Sequence, residues 1–334
     1  MQAHALICDA QQRFTLEEVI LPDPGPQDIV VRTRYSGVSI GTEFALIRNK
    51  ISWGPYPLCT GYQAVGVVEA VGNEVSGFAP GTQVYLRRNQ PFHLANGQVV
   101  SPVSGTHSSY HVIPSPAEYG LEVLPDGIDL EAASMFVMPA VGLFGVDMAN
   151  PRMGQLVAVY GAGLIGLGVI AACSQRGCRV MAFDIDDARL EIARSMGADL
   201  VVNTRKDDAL TALHAVAPEG ADAVFECTGI PACVNETLPL CKTFGTFVMQ
   251  GNYGDAPLGL NFIAAHGRRL TMYFPCDDGQ APCRRAVLNN MARNVLPWGR
   301  TITHRVAYTK AADLYHRINT GNAAEVLGAV IQWS

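Results

Sequence analysis

No apolar run in this 334-residue chain approaches the roughly eighteen residues that a membrane-spanning helix requires, and the opening stretch, Met1 to Phe14, has no charged segment leading into an apolar core. No membrane association is expected, and a cytoplasmic location is. Basic clusters are also absent, and the formal net charge is −6, which argues against nucleic acid as a partner. Cysteines are never spaced CxxC. Cys8, Cys59, Cys173, Cys178, Cys227, Cys233, Cys241, Cys276 and Cys283 are odd in number and scattered, so they read as reduced small hydrophobes. There is no internal repeat and no low-complexity tract. What remains is ordinary globular material, 49% hydrophobic and long enough for two domains.

The stretch Gln155 to Asp184, QLVAVYGAGLIGLGVIAACSQRGCRVMAFD, organises the rest. Leu156 to Tyr160 reads as a buried parallel strand. Gly161, Gly163 and Gly166 then spell GxGxxG: a sharp turn, a close backbone approach to a pyrophosphate, and tight helix-to-strand packing. Leu164 and Ile165 open a helix whose free N–H groups and positive dipole end suit a phosphate. A second apolar run, Val180 to Phe183, ends at Asp184, at about the twenty-residue offset where a carboxylate meets the adenosine ribose. That carboxylate would repel a 2′-phosphate, and Ile185 and Asp186 supply no cation, so NAD is expected over NADP. Arg189 is placed beside the adenine or on the surface.

Around this unit, strands are expected at Ala5 to Cys8, Phe14 to Val19, Asp28 to Tyr35, Val65 to Val71 and Tyr110 to Pro114. Leu86 to Gly105 is expected as a long loop covering a site or an interface. A helix starts near Asp129. Beyond Asp184, strands alternate with helices through Ala198 to Val202, Ala221 to Glu226 and Thr246 to Gly251, which implies a doubly wound parallel sheet. Ligands sit at the carboxyl ends of such strands, so the turns bearing Cys227, Gly229 and Gly251 are assigned to the cofactor.

SGVSIGTE at Ser36 to Glu43, TGYQAVGVVEAVG at Thr60 to Gly72, GFAPGTQV at Gly77 to Val84, GAGLIG, and GADAVFECTG at Gly220 to Gly229 together resemble the medium-chain dehydrogenase/reductase superfamily. The resemblance covers essentially the whole chain. It implies an α/β fold with a GroES-like β-rich catalytic domain at 1–128 and 277–334, and a Rossmann NAD-binding domain at 129–276. It also implies a small-molecule substrate and a homodimer or homotetramer, with Leu258 to Tyr273 supplying an edge.

The departures from the family are specific. Zinc-dependent members carry a CGxCGTD-like motif, a GHE motif and a later cysteine or glutamate. Here Ser39 or Ile40 falls at the cysteine position, Tyr62 and Gln63 follow Gly61 at the GHE position, and Met138 stands at the third. Zinc needs thiolate, imidazole or carboxylate ligands, and none is supplied there. The SxGTE and GYxxxG variants are similar to a zinc-lacking subgroup that includes the bacteriochlorophyllide dehydrogenases, over the first eighty or so residues.

A metal-free site still has to manage the oxygen of the substrate. Tyr62, at the matching histidine position, either donates to a ketone oxygen or, with a lowered pKa, accepts the alcohol proton. The resemblance aligns Thr42 with the relay hydroxyl of the family, against backbone capping as the alternative. It aligns Glu43 with the neighbouring acidic position, where a structural ion pair competes with a catalytic base. Ser39 and His107 complete the catalytic set. His107 and His111 flank a strand leading into the cleft wall, and period-two alternation puts both on one face. His111, His93, Trp53 and Tyr56 are assigned to the substrate pocket, and His304 is read as structural. Three function classes follow: a zinc-independent NAD-dependent dehydrogenase of a secondary alcohol such as a polyol, sugar or sugar derivative; an NADPH-type quinone or enone reductase; and a non-catalytic NAD-binding protein.

Overall fold

Alternating apolar and polar residues give the first part of the chain strands with one buried face, and such strands must close or stack to hide it. The computed structural model describes residues 1–50, 54–115 and 120–333. In order come β1 (Gln2–Cys8), β2 (Phe14–Ile20), β3 (Asp28–Val38), helix α1 (Thr42–Ile47), β4 (Leu58–Cys59), β5 (Ala64–Val71) and β6 (Gln83–Leu86). They are followed by β7 (Phe92–Leu94), β8 (Val99–Pro102), β9 (Tyr110–Pro114) and β10 (Leu121–Val123). Strands β1, β2, β7, β8 and β4 form a closed barrel. Strands β10, β6, β5 and β3 pair successively in a second sheet, and β9 also pairs with β3.

The segment Leu86 to Gly105 corrects the expectation of a long loop: it contains the hairpin β7–β8. Its Asn96-Gly97 turn has Gly97 at φ 84°, and Phe92 and Val100 are fully buried in the barrel. The Asn-Gly dipeptide was the available signal.

Asp129 caps α2 (Leu130–Ala133) by accepting from the Glu131 amide, as the sequence implied. Next come α3 (Val137–Ala149), β11 (Leu156–Tyr160), α4 (Leu164–Gln175), β12 (Arg179–Asp184), α5 (Asp187–Ser195) and β13 (Leu200–Asn203). The alternation continues through α6 (Ala209–His214), β14 (Ala221–Glu226), α7 (Pro231–Thr237), β15 (Cys241–Met249), α8 (Phe262–Arg268), β16 (Thr271–Tyr273) and α9 (Gln280–Ala292). All six strands are parallel, in the order β13-β12-β11-β14-β15-β16, so the order reverses between β11 and β14.

The chain then returns to the first sheet. Strand β17 (Ile302–Ala307) and helix α10 (Ala311–Asn319) lead to β18 (Gly328–Gln332), which pairs with β3 from Ala329 opposite Val38 to Gln332 opposite Tyr35. Two compact units result, residues 1–136 with 291–334, and 137–290. Both crossings fall later in the chain than the 128/129 and 276/277 boundaries expected from the sequence. No helix among the described residues is long and apolar enough to cross a membrane. All nine cysteines are unpaired.

Candidate functional site

In the first unit, β3 runs out at Val38 and α1 begins at Thr42, so the connecting turn carries Ser39 to Gly41. Gly61, at φ 90°, turns the chain in front of Tyr62. A Cβ there would stand 2.7 Å from His107 and from the Thr106 hydroxyl, so this backbone approach requires glycine. The result is a cluster of hydroxyls. Tyr62 donates to Ser39 Oγ at 2.5 Å and also hydrogen-bonds Thr42. The Arg87 guanidinium lies 5.7 Å from the Tyr62 ring centroid while its Nε donates to the Tyr62 carbonyl. Ser39 is buried, Tyr62 is half-buried and Thr42 is exposed. Burial pushes the Tyr62 phenol up to about 12, against the hydrogen bonds of Ser39 and Thr42. The alternative of a lowered pKa is thereby corrected: this hydroxyl stays protonated and is a donor.

Behind the hydroxyls lies a buried network. The Ser39 amide donates to Glu43 Oε1 at 2.7 Å. Glu43 Oε2 accepts from Tyr315 at 2.6 Å and from His107 Nε2 at 3.0 Å. His107 Nδ1 lies 2.8 Å from Ser36 Oγ, which accepts from the Trp333 indole at 2.8 Å. Glu43, His107, Ser36 and Tyr315 have no exposed surface. Burial raises the Glu43 carboxyl, but the charge and hydrogen bond of His107, with those of Tyr315 and the Ser39 amide, outweigh it and hold the group below the usual carboxylate range. The Tyr315 phenol is driven well up by burial and by the Glu43 charge, so it remains a donor. Glu43 is therefore a buried anchor. Ser36, Tyr315 and Trp333 escaped the site reading; Ser36 opens the SGVSIGTE motif, whereas the two tail residues have no local signal.

The pocket assignments fare differently. His111 has no exposed surface, lies 3.0 Å from the Thr33 hydroxyl, and is pushed by burial down to about 3. It is a neutral core histidine, with nothing to offer a substrate. His93 is exposed on β7, opposite Ile20 and Val99, in the hairpin rather than in a loop. The Tyr56 hydroxyl donates to the Ile47 carbonyl at 2.8 Å and its ring packs on the core, so it closes the end of α1. Trp53 lies outside the described residues.

In the second unit, a Cβ on Gly166 would stand 1.9 Å from the Gly161 carbonyl oxygen, whereas one on Gly163 would meet nothing within 4 Å. Helix α4 starts at Leu164 and Ile165 with no side-chain cap, so its first amides face open space beside the Gly163 backbone. This is a cradle that fits a diphosphate. Asp184, at the end of β12, accepts from the Ala162 amide at 2.7 Å and the Asp186 amide at 3.0 Å, one bond per oxygen. Each oxygen retains a lone pair for a ribose hydroxyl. Arg189 is half-buried on α5, and Lys206 is engaged with Asp187 at 2.6 Å. Cys227 and Gly229 follow β14, and Gly251 packs against Gly229, where its Cβ would be 2.5 Å from the Gly229 nitrogen.

The matching positions do not fit zinc. Ser39, Tyr62, Gln63 and Met138 bring hydroxyls, an amide and a thioether, and no group of three or more His, Cys, Asp or Glu that could hold a metal ion occurs among the described residues.

Residues 25–122 match the family described as alcohol dehydrogenase GroES-like domain, and residues 165–292 match zinc-binding dehydrogenase. An L-threonine 3-dehydrogenase of Aeromonas salmonicida is 31% identical over 261 residues, covering 72% of this chain and 75% of its own. An alcohol dehydrogenase of Cupriavidus necator is 29% identical over 332 residues, covering 88% of each. Among solved structures, alcohol dehydrogenase TADH from Thermus sp. ATN1 superposes with a TM-score of 0.83 at 22% identity, over 98% of this chain and 99% of that one. A dehydrogenase from Sinorhizobium meliloti 1021 bound to NADP superposes with a TM-score of 0.84 at 21% identity, over the whole of both chains. At these identities the two structures establish a shared fold.

Proposed function

This chain belongs to the medium-chain dehydrogenase/reductase superfamily and is an oxidoreductase of the dehydrogenase type, and from that premise we propose that it moves hydride between NAD and a secondary alcohol or its ketone without catalytic zinc. The observation that carries this is the hydroxyl cluster of Tyr62, Ser39 and Thr42 at the positions that match metal ligands and relay in the family. A polyol, sugar or sugar derivative is the proposed substrate class. The preference for NAD rests on Asp184, whose charge opposes a 2′-phosphate, and on Lys206 being engaged by Asp187. A cytoplasmic enzyme joined as a homodimer or homotetramer is part of the same proposal.

When bound, the nicotinamide supplies the carbon that gives or takes hydride. The glycine turn and the amides of α4 hold the diphosphate, and Asp184 holds the ribose. Tyr62, protonated through the physiological range, has one O–H, which turns from Ser39 Oγ to the substrate oxygen. In ketone reduction it stabilises and then protonates that oxygen as hydride arrives, and in alcohol oxidation the alcohol proton leaves through the hydroxyls of Tyr62 and exposed Thr42 to water. Ser39 Oγ accepts from Tyr62, and its amide is fixed by Glu43. Glu43 thus positions the cluster from behind.

Tyr62→Phe keeps the ring and loses the donor. Turnover is expected to fall by roughly 10²- to 10⁴-fold with fold and NAD binding retained. Chelation is expected to leave the wild-type rate unchanged. Near-normal turnover of Tyr62→Phe in an NAD-linked assay on a polyol panel would remove the role, and stoichiometric zinc in active protein would remove the metal-free reading.

A further inference from the structure

One buried carboxylate of the second unit has no part in the steps above. Glu226, at the carboxyl end of β14, has no exposed surface. Register sets it opposite Tyr160, the residue before the glycine turn, on the two strands between which the sheet order reverses. Its carbonyl accepts from the amides of Gln250 at 2.9 Å and Gly251 at 3.0 Å. A Cβ on Gly251 would stand 3.3 Å from its Oε2, so the turn after β15 lies directly against the carboxylate.

The donors that reach this side chain are neutral. Oε1 accepts from the Thr228 amide at 3.0 Å and from the Thr228 hydroxyl, and Oε2 accepts from the Tyr253 hydroxyl. Among the described residues no Lys, Arg or His forms an ion pair with it. Burial and the adjoining Glu226 hold the Tyr253 phenol far above its ordinary range, which makes it a permanent donor. All three bonds are accepted by the side-chain oxygens of Glu226, the pattern of a carboxylate, and a buried anion with no counter-cation projects its field further than a paired one.

A dinucleotide across such a switch point rests its adenosine half on the Asp184 side and its nicotinamide half on the β14–β15 side. The oxidised ring is a cation and the reduced ring is neutral. We propose that Glu226, held by Thr228 and Tyr253, biases the nucleotide site toward the oxidised form of the cofactor. The inference rests on the nicotinamide reading of the glycine turn and adds a specificity-determining residue to it.

The test is titration calorimetry of NAD⁺, NADH, NADP⁺ and NADPH with the full chain as wild type, Glu226→Gln and Tyr253→Phe. Glutamine preserves shape while removing charge: its amide oxygen accepts from Thr228, and its NH2 donates to the Tyr253 oxygen, whose own O–H turns to the Glu226 carbonyl 3.3 Å away. Its ratio of oxidised to reduced affinity is expected to drop by about tenfold, through weaker binding of the oxidised forms. Tyr253→Phe removes a donor and keeps the charge, so its ratio is expected to stay within about twofold of wild type. If Glu226→Gln does not fold, the double replacement Glu226→Met with Tyr253→Phe, an apolar pair, is read in the same way. Equal weakening of oxidised and reduced forms in the charge-free variant would overturn the proposal and leave the cofactor reading intact. Failure of the wild type to bind any of the four would overturn that reading and the proposal together.

Discussion

His111 carries a consequence that an acid titration reads directly. Burial lowers its folded-state pKa from 6.5 to about 3, so below pH 6.5 the unfolded chain takes up a proton that the native state refuses. Its contribution to stability is whole above 6.5 and is lost as pH falls toward 3, at up to about 1.4 kcal/mol per pH unit. Urea midpoints of wild type and His111→Gln at about pH 7 and about pH 4.5 are expected to converge at the lower value, because the variant lacks this term. Parallel curves would show that His111 takes up its proton without unfolding. The same residue marks the limit of reading side chains from sequence. Alternation put His107 and His111 on one face, but nothing local said that this face is sealed. Tyr62, Ser39, Thr42 and Glu43 were legible because short motifs carry them. Tyr315 and Trp333 were not, since their partners lie 272 and 297 residues away in the sequence.

At the scale of single elements, the glycine turn separates folding from binding. Gly163 has φ −71° and open space around its Cβ position, so Gly163→Ala is expected to keep the stability of the free protein while weakening cofactor binding by more than about tenfold, the methyl filling the phosphate cradle. Gly166 sits inside α4, where alanine is ordinarily favoured, yet its Cβ would meet the Gly161 carbonyl at 1.9 Å. Gly166→Ala is therefore expected to lose binding and also about 1–3 kcal/mol of stability. Thermal melts with and without NAD distinguish the two; equal melting temperatures for both variants would contradict this. The strand-turn-helix-strand order here was fully legible, because the period of the apolar residues and the glycines agree. The hairpin β7–β8 was hidden by strands of three and four residues, too short for alternation to register, and its Asn-Gly turn had to speak alone.

For the molecule as a whole, the second sheet-bearing unit leaves β16 at an edge, with Phe274 directly after it in sequence and Phe262 and Ile263 opening the preceding α8, all three exposed, at 63%, 64% and 72%. The stretch expected to supply an edge, Leu258 to Tyr273, proves to be helix α8 followed by that strand. An unpaired edge beside apolar side chains is a surface that a second copy can cover. Light scattering at micromolar concentration is expected to give at least a dimer, and Ile263→Asp with Phe274→Asp to give monomers; a monomeric wild type would count against it. The return of the chain to its first sheet has a further effect, on the order of events during synthesis. Residues 137–290 form a continuous unit and can fold as they leave the ribosome, but β3 lacks β18, and Glu43 and Ser36 lack Tyr315 and Trp333, until residues 291–333 have been translated. A nascent chain therefore completes its glycine turn before its hydroxyl cluster can be anchored, so the proposed nucleotide site would mature earlier than the proposed catalytic one.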